Sequence, residues 1–150
     1  MTIGPDTIVD IARGWVGTPY RHQAARRGAG TDCLGLVRGV WREAIGSEPE
    51  TPPAYSMDWS EPQGQERLWH AAADHLREQA QVTEGLAAGD VILFRMRSGA
   101  VAKHLGIVSA VGALPTFVHA YEKYGVVESP LSRPFQRRIV ARFKFPLEVF

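Results

Sequence analysis

The chain has 150 residues, of which 45% are hydrophobic and 22% are charged, and it contains a single cysteine. This length and composition are typical of one globular domain with its own hydrophobic core. Lys and Arg number 17 against 16 for Asp and Glu, so the net charge of +1 does not indicate a nucleic-acid-binding protein. One cysteine excludes an intramolecular disulfide, and no apolar run is long enough to span a membrane. We therefore expect a single domain, residues 1–150, that binds neither nucleic acid nor membrane.

The N-terminal sequence MTIGPDTIVD lacks the basic and apolar regions of a secretory signal peptide. We therefore expect synthesis in the cytoplasm. If the target lies outside the cytoplasm, another component has to carry the protein there.

The first half of the chain predicts helices. Asp6 is a candidate N-cap of a first helix, whose apolar residues keep helical spacing up to a Gly-Thr-Pro sequence. A loop rich in Arg and Gly follows, and a second helix is predicted from Cys33 to Ile45. Gly35 and Gly39 lie four residues apart in this helix, which indicates that another stretch of backbone approaches closely there. After a proline-rich loop, the segment QGQERLWHAAADHLREQA predicts a third helix.

The second half of the chain predicts short strands. They are the runs AGDVILFRM, KHLGIVSAV, TFVHAYE, YGVVESPL and RRIVARFKF, which are rich in β-branched and aromatic residues and separated by turn residues. Helices followed by strands indicate an α+β protein, in which an antiparallel sheet packs on helices.

Cys33 lies where the glycine-rich loop meets the second predicted helix. Unsatisfied N–H groups and the positive end of the helix dipole favour the thiolate, which is the reactive form of cysteine. We therefore expect a nucleophile that alkylates readily at mildly acidic pH. The alternative is a buried cysteine that only fills space in the core.

Two of the five histidines lie in predicted strands. In a hairpin that turns at Val111-Gly112, His104 and His119 would be direct cross-strand neighbours with Cβ atoms roughly 5 Å apart. Beside a thiol, the first imidazole can accept the proton and the second can fix the tautomer of the first. Gly106 shares a strand face with His104 and would leave room for the thiol or a substrate.

The chain resembles the NlpC/P60 family of papain-like cysteine peptidases over residues 6–145. The resemblance is carried, in the family's order, by the segments GTPYRHQ, DCLGLVRGVW, AAGDVILF, KHLGIV and FVHAYEKYGVV. The segment HQAARRGAGTDCLGLVRGVWRE is most similar to short cell-wall peptidases encoded in phage tail modules and gene transfer agents. The resemblance implies a papain-like fold in which N-terminal helices, with the nucleophile at a helix N-terminus, pack on a C-terminal antiparallel sheet.

The resemblance also implies an activity. It is that of an endopeptidase acting on peptidoglycan stem peptides, typically at the D-γ-glutamyl–diaminopimelate bond, without a cofactor. Such an enzyme would act in the periplasm or cell wall, as part of a virion-like particle that includes phage-like tail proteins, or after lysis.

By position in the resembling motifs, five residues receive roles. Cys33 would be the nucleophile and its backbone N–H an oxyanion donor, with His104 as general base and His119 as orienting residue. Tyr20 would lie over the active site, where its hydroxyl can hold the substrate carbonyl or the oxyanion. Asp32 would bind the free amine of the stem peptide.

The sequence departs from the family pattern at two places. Leu34 stands where a serine often follows the nucleophile, and RHQAARRG replaces the usual Trp-Gly-Gly. The loop brings Arg21, Arg26 and Arg27 close to the nucleophile in sequence, and Arg27 is a candidate to bind stem-peptide carboxylates. The alternative is that these arginines are solvated loop charges. His22 could line the cleft, without an assigned role.

Three other functions stay open at this point. The same Cys-His-His framework could transfer an acyl group, as in relatives of lecithin:retinol acyltransferase. The thiolate and two imidazoles could bind zinc with an open coordination position. The chain could also be a structural or assembly component of a phage-like tail with weak or no peptidase activity.

Overall fold

A computed structural model describes residues 3–55 and 64–147. The helices are α1 (Pro5–Gly14), α2 (Cys33–Ala44), α3 (Arg67–His75) and α4 (Arg133–Gln136). The strands are β1 (Ala25–Arg26), β2 (Gly30–Thr31), β3 (Arg77–Glu78), β4 (Val91–Phe94), β5 (His104–Ala110), β6 (Thr116–Tyr121), β7 (Gly125–Pro130) and β8 (Ile139–Lys144).

Six strands form one antiparallel sheet in the order β3-β8-β4-β5-β6-β7, while β1 and β2 pair separately. Helices α1 and α2 pack on each other and on β5. The α+β prediction is therefore confirmed, with helices packed against an antiparallel sheet. Within the described ranges, no helix is both long and apolar enough to cross a membrane.

The sheet buries both faces because side chains alternate along each strand. One face packs on the helices in a core that includes Leu36, Val40, Leu105, Ile107 and Val118. The other face carries a second cluster, made by Ile92, Phe94, Val108, Phe117, Leu131 and Ile139. The site described below draws residues from both sides of the sheet.

The two glycines of α2 allow close packing. A Cβ at Gly35 would collide with the backbone carbonyl of Ala24, as the sequence predicted, since that loop lies directly against the helix. At Gly39 the neighbour is instead the indole ring of Trp15. That ring is 1% exposed and its Nε1 donates to Glu43 at 2.6 Å, so Gly39 provides the space for a core side chain.

Three predicted helix boundaries differ from the observed ones. Gly4 rather than Asp6 is the N-cap of α1, because Pro5 takes the first helical position and puts Asp6 in the first turn. Helix α2 ends at Ala44, one residue early. The third predicted helix begins at residue 63, which lies outside the described residues, and its C-terminal part forms strand β3, which pairs with β8.

The predicted register of the β5–β6 hairpin is wrong by two residues. Ile107 pairs with Val118, and the next pair in the same register sets Gly106, not His104, opposite His119. An even displacement leaves every side chain on its predicted face, because the side-chain period of a strand is two. The two histidines therefore still share a face and meet diagonally. The space beside Gly106 is filled by the Phe117 ring, whose Cδ2 would lie 2.7 Å from a Cβ there, rather than left for a substrate.

Candidate active site

Cys33 is the first residue of α2, as the sequence predicted. Its side chain belongs to the core between helices and sheet and is 6% exposed. The thiol Sγ donates to the carbonyl oxygen of Lys103 at 3.7 Å. Because Lys103 immediately precedes β5, this contact brings the thiol to the strand end that carries His104.

Asp32 is the N-cap of α2, and its buried carboxylate accepts hydrogen bonds from three donors. The backbone N–H of Gly35 donates to Oδ1 at 2.7 Å, and the backbone N–H of Gln23 donates to Oδ2 at 2.7 Å. The hydroxyl of Tyr55 also donates to Oδ2. Asp32 therefore fixes the start of the nucleophile helix and holds the preceding loop against it.

His104 and His119 are in direct contact across the β5–β6 hairpin. His104 Nε2 lies 2.8 Å from His119 Nδ1, and the two rings are nearly perpendicular at 81°. The second nitrogen of His119, Nε2, lies 2.9 Å from Ser129 Oγ on β7. The three side chains thus form a continuous hydrogen-bonded relay that runs from the cleft into the sheet.

Aromatic rings surround this relay. Phe117 stacks on His119 with ring centroids 4.1 Å apart, and Phe94 lies 5.6 Å from the His104 ring centroid. Phe135, from α4, contacts His119 from a third direction with centroids 6.3 Å apart. His119 is only 2% exposed, whereas His104 and Ser129 at the two ends of the relay are partly exposed.

Burial keeps the thiol and both imidazoles uncharged. Burial, and next the nearby Asp32 carboxylate, raise the pKa of Cys33 to about 12. Burial, and next the neighbouring His119, lower the pKa of His104 to about 3. Burial alone lowers the pKa of His119 to about 4. The expected thiolate at the helix terminus is therefore not favoured in the free protein, because desolvation and the N-cap charge outweigh the helix dipole.

An open cleft brings four of the predicted residues together. Its lining includes Tyr20, Asp32, Cys33 and His104, while His119 lies behind His104. Its wall also contains His22, Met96, Lys103, Ala120, Tyr121, Glu122 and Phe135. A thiol, an imidazole that contacts a second imidazole, and a tyrosine thus line one cleft.

The sequence model of the NlpC/P60 family matches residues 17–143 of this chain. The chain belongs to the NlpC/P60 family. None of the curated proteins compared with it matches.

Solved structures of NlpC/P60 proteins have the same fold. The NlpC/p60 domain of the peptidoglycan hydrolase SagA is 20% identical with a TM-score of 0.63, and the match covers 95% of this chain and 100% of that domain. An NlpC/P60 family protein from Bacillus cereus is 20% identical with a TM-score of 0.63, over 99% of this chain and 42% of the other. A lipoprotein-like family member from Staphylococcus aureus is 24% identical with a TM-score of 0.57, over 93% of this chain and 40% of the other. The chain therefore spans less than half of the latter two proteins.

In this NlpC/P60 domain Tyr20 is held at the cleft by the backbone. It forms an isolated parallel bridge with Thr31, whose N–H donates to the carbonyl of Pro19 at 3.0 Å. Burial, followed by the proximity of Cys33 and Asp32, raises the pKa of the Tyr20 hydroxyl above its usual value. The hydroxyl therefore stays protonated and can donate a hydrogen bond into the cleft.

The structure does not bring Arg27 to the cleft of the NlpC/P60 domain. Its Nη1 pairs with Glu43 Oε1 at 2.7 Å, and its Nε donates to the carbonyl of Gly14 at 3.0 Å. The guanidinium thus ties the loop to α1 and α2. Proximity to Cys33 in sequence does not place it near the thiol, because the β1–β2 hairpin carries the arginine away.

The NlpC/P60 domain holds no zinc-like arrangement at the relay. Among residues 3–55 and 64–147, no group of three or more His, Cys, Asp or Glu side chains is arranged to hold a metal ion. The His104–His119 contact itself, at 2.8 Å between nitrogens, is a hydrogen-bond distance. Two nitrogens on one tetrahedral zinc would lie about 3.3 Å apart.

Sequence reasoning missed Ser129 and Tyr55. A signal for Ser129 existed in the short EKYG turn, which fixes the β6–β7 register by pairing Tyr121 with Gly125. In that register Ser129 lies opposite Phe117 and diagonal to His119. Tyr55 gave no comparable signal, because a loop residue can reach Asp32 only through the tertiary fold.

Proposed function

We propose that this NlpC/P60 domain is a cysteine endopeptidase that cleaves peptidoglycan stem peptides. The observation that supports this most is the 2.8 Å contact of His104 Nε2 with His119 Nδ1, next to a thiol at a helix start in the same cleft. The contact uses Nε2 of His104, so Nδ1 is the nitrogen left to accept the thiol proton. One of the structures with the same fold belongs to a protein described as a peptidoglycan hydrolase.

The proposed reaction begins from a neutral thiol and a neutral imidazole. The sulfur of Cys33 attacks the peptide carbonyl carbon while the thiol proton moves to His104 Nδ1, so the charges develop only in the transition state. The carbonyl electron pair moves onto oxygen, where the Cys33 N–H and the Tyr20 hydroxyl donate to it. The C–N bond then breaks, and the leaving amine takes the proton from His104. Water, deprotonated by His104, hydrolyses the thioester and restores the thiol.

His119 stabilises the charge that His104 acquires. When His104 is protonated, its Nε2–H donates to Nδ1 of His119, and the Nε2–H of His119 then donates to Ser129 Oγ. The relay therefore holds His104 in the tautomer whose Nδ1 can act as a base. Because His119 is buried and Phe117 stacks on it, the partner of His104 Nε2 is a fixed side chain rather than a water molecule.

Asp32 is the proposed acceptor for the free amine of the stem peptide. A carboxylate offers about four lone-pair sites. The three donors described above leave capacity for one more, and His22, which lines the same cleft, has its Nδ1 3.9 Å from Oδ2. The scissile bond, proposed as D-γ-glutamyl–diaminopimelate, and delivery by a phage-like tail particle are supported by the sequence resemblance alone.

The proposal is tested by digesting purified sacculi and identifying the released fragments by mass spectrometry. The intact protein is expected to release stem-peptide fragments with one defined new terminus, and Cys33→Ala to release none. His70→Ala, which changes an exposed histidine on α3, is the control and should match the unmodified protein. Equal release by Cys33→Ala would contradict the peptidase assignment. Absence of release by the unmodified protein would contradict it too, and would favour a structural role in a tail.

A further inference from the structure

His22 lies at the active-site cleft beside the Asp32 carboxylate, and no step of the proposed reaction uses it. It belongs to the RHQAARRG loop, where the sequence departs from the family pattern. Its side chain is 31% exposed and lines the same cleft as Cys33. The Tyr55 ring packs edge-on against the imidazole, with centroids 5.2 Å apart at 87°. His22 is therefore a packed residue of the cleft wall rather than a solvated loop residue.

The contact of His22 with the backbone determines which of its ring nitrogens can accept a hydrogen bond. Nε2 lies 2.9 Å from the carbonyl oxygen of Tyr55. A carbonyl oxygen only accepts, so Nε2 carries the hydrogen, and Nδ1 of the neutral imidazole presents a lone pair. Nδ1 lies 3.9 Å from Asp32 Oδ2, which is beyond hydrogen-bond distance. Two acceptors thus face each other across a gap that a donor group can bridge.

Asp32 alone has too few free positions to satisfy an ammonium group. Its Oδ1 accepts one hydrogen bond and its Oδ2 accepts two. Of the about four positions of a carboxylate one is left, whereas an ammonium group carries three N–H donors. A cation attracted by the Asp32 charge therefore needs a further acceptor. Nδ1 of His22 faces the same carboxylate from the cleft wall and can be that acceptor.

We propose that His22 is a specificity-determining residue whose Nδ1 accepts a hydrogen bond from the free N-terminal amine of the stem peptide, while Asp32 supplies the opposite charge. This inference rests on the proposed function, because it adds a second residue to the amine contact of that substrate. An N-acylated terminus has one N–H and no charge, so it cannot bond in the same way. A peptide with a blocked terminus, including one attached to the glycan, is therefore expected to be cleaved more slowly.

The test compares L-alanyl-γ-D-glutamyl-diaminopimelate with the same peptide acetylated at its N-terminus. His22→Phe keeps a flat ring beside Tyr55 and removes both ring nitrogens. It is expected to lower kcat/KM on the free-amine peptide about five- to tenfold, mainly by raising KM. On the acetylated peptide the loss should be about twofold or less.

Gln23→Ala is the matched control for a structural role. Gln23 Nε2 donates to the same Tyr55 carbonyl at 2.5 Å, and Gln23 is not among the residues that line the cleft. The substitution removes this contact and leaves the backbone N–H of residue 23 on Asp32. Any loss it causes should be the same on both peptides, so the preference for the free amine stays.

Three results with His22→Phe would overturn the inference. Equal losses on both peptides would show that His22 only holds the loop of Tyr55. No loss on either peptide would show that Nδ1 does not meet the substrate. A gain on the free-amine peptide would show that a protonated His22 competes with the amine for Asp32.

A binding measurement separates this inference from the proposed function. The dipeptide L-alanyl-γ-D-glutamate lacks the proposed scissile bond. Saturation-transfer NMR should show that it binds the unmodified protein, and that acetylation or His22→Phe weakens the signal. If neither tripeptide is cleaved but the dipeptide binds in this way, the peptidase proposal fails and the amine site stands. If the tripeptides are cleaved at equal rates, or if acetylation leaves dipeptide binding unchanged, the amine site is overturned. An absence of both cleavage and dipeptide binding would overturn both proposals.

Discussion

The polar cluster around Asp90 and the histidine relay are each centred on a buried residue, Asp90 and His119, but only the first brings opposite charges together. Asp90 is 1% exposed, and its oxygens meet Arg142 Nη1 at 2.8 Å and Lys144 Nζ at 2.6 Å. Arg142 also donates to the backbone carbonyls of Gln81, Glu84 and Gly85, so it fastens a long loop to the sheet. The relay of His104, His119 and Ser129 contains no carboxylate.

The difference separates a satisfied cluster of charges from a pair of neutral imidazoles. A buried charge surrounded by counter-charges and hydrogen bonds has its bonding capacity satisfied. Imidazoles and a thiol without a counterion are neutral instead, because burial disfavours the charged form of each. Burial therefore lowers the pKa of His104 and raises the pKa of Cys33. Neutrality leaves one nitrogen of His104 able to take a proton when the substrate arrives.

The largest expected effect is on thiol chemistry. Because the pKa of Cys33 is raised from 9.0 to about 12, thiolate is the minor form at any pH below that value. At pH 7 the thiolate fraction should be roughly a thousandfold below that of an ordinary cysteine, and it should rise about tenfold per pH unit. Alkylation by iodoacetamide, followed by intact mass from pH 5 to 10, should therefore accelerate steadily with pH.

Glutathione is the control for the chemistry of the reagent, and Cys33→Ala should not be labelled. A rate plateau between about pH 5 and pH 8 would indicate a thiolate–imidazolium pair in the free protein. That outcome would contradict the neutral site and restore the reactivity at mildly acidic pH that the helix dipole alone predicts.

The second prediction concerns the charged cluster. Arg142→Leu leaves Asp90 with one cation and frees three backbone carbonyls, so it should lower the free energy of unfolding by about 3–5 kcal/mol. Chemical denaturation measures this loss. Arg13→Ala breaks the exposed pair with Glu128, whose side chains are 46% and 30% exposed, and should cost about 1 kcal/mol or less. Equal effects of the two variants would show that the buried cluster does not hold the loop.

Local features of this molecule were predictable from sequence. The start of α2 at Cys33 follows from an N-capping Asp32 before an apolar helix, and both signals lie within a few residues. The shared face of His104 and His119 also follows, because strand periodicity does not depend on register. The papain-like fold was predicted from motif order along the chain rather than from any single element.

Features that depend on tertiary structure were not predictable in the same way. The β5–β6 register shifts between Val108 and Ala110, and no sequence pattern indicates that irregularity. Placement of Arg27 depends on the direction of the β1–β2 hairpin. The protonation state of Cys33 depends on burial by the sheet and on the Asp32 charge, so the helix position alone predicted the wrong form of the thiol.

The third prediction concerns the effect of His119 on kcat. His119→Ala removes the partner of His104 Nε2, so the tautomer of the base is no longer fixed, and kcat should fall about a hundredfold. The change in Cys33 alkylation should be smaller, since His119 does not line the cleft. No loss of kcat would remove His119 from the mechanism.

Ser129 acts through His119, so its effect should be smaller than that of the histidine. Ser129→Ala removes one neutral hydrogen bond, worth about 1 kcal/mol, and kcat should fall about fivefold with KM unchanged. Ser129→Thr keeps the hydroxyl and should restore the rate. Ser109→Ala is the matched control, because the Ser109 hydroxyl bonds to Thr116 at 2.7 Å instead of to a histidine. If Ser109→Ala and Ser129→Ala lower kcat equally, the hydroxyl of Ser129 only supports the sheet. If only Ser129→Ala lowers kcat, and Ser129→Thr restores it, the hydroxyl positions the histidine pair.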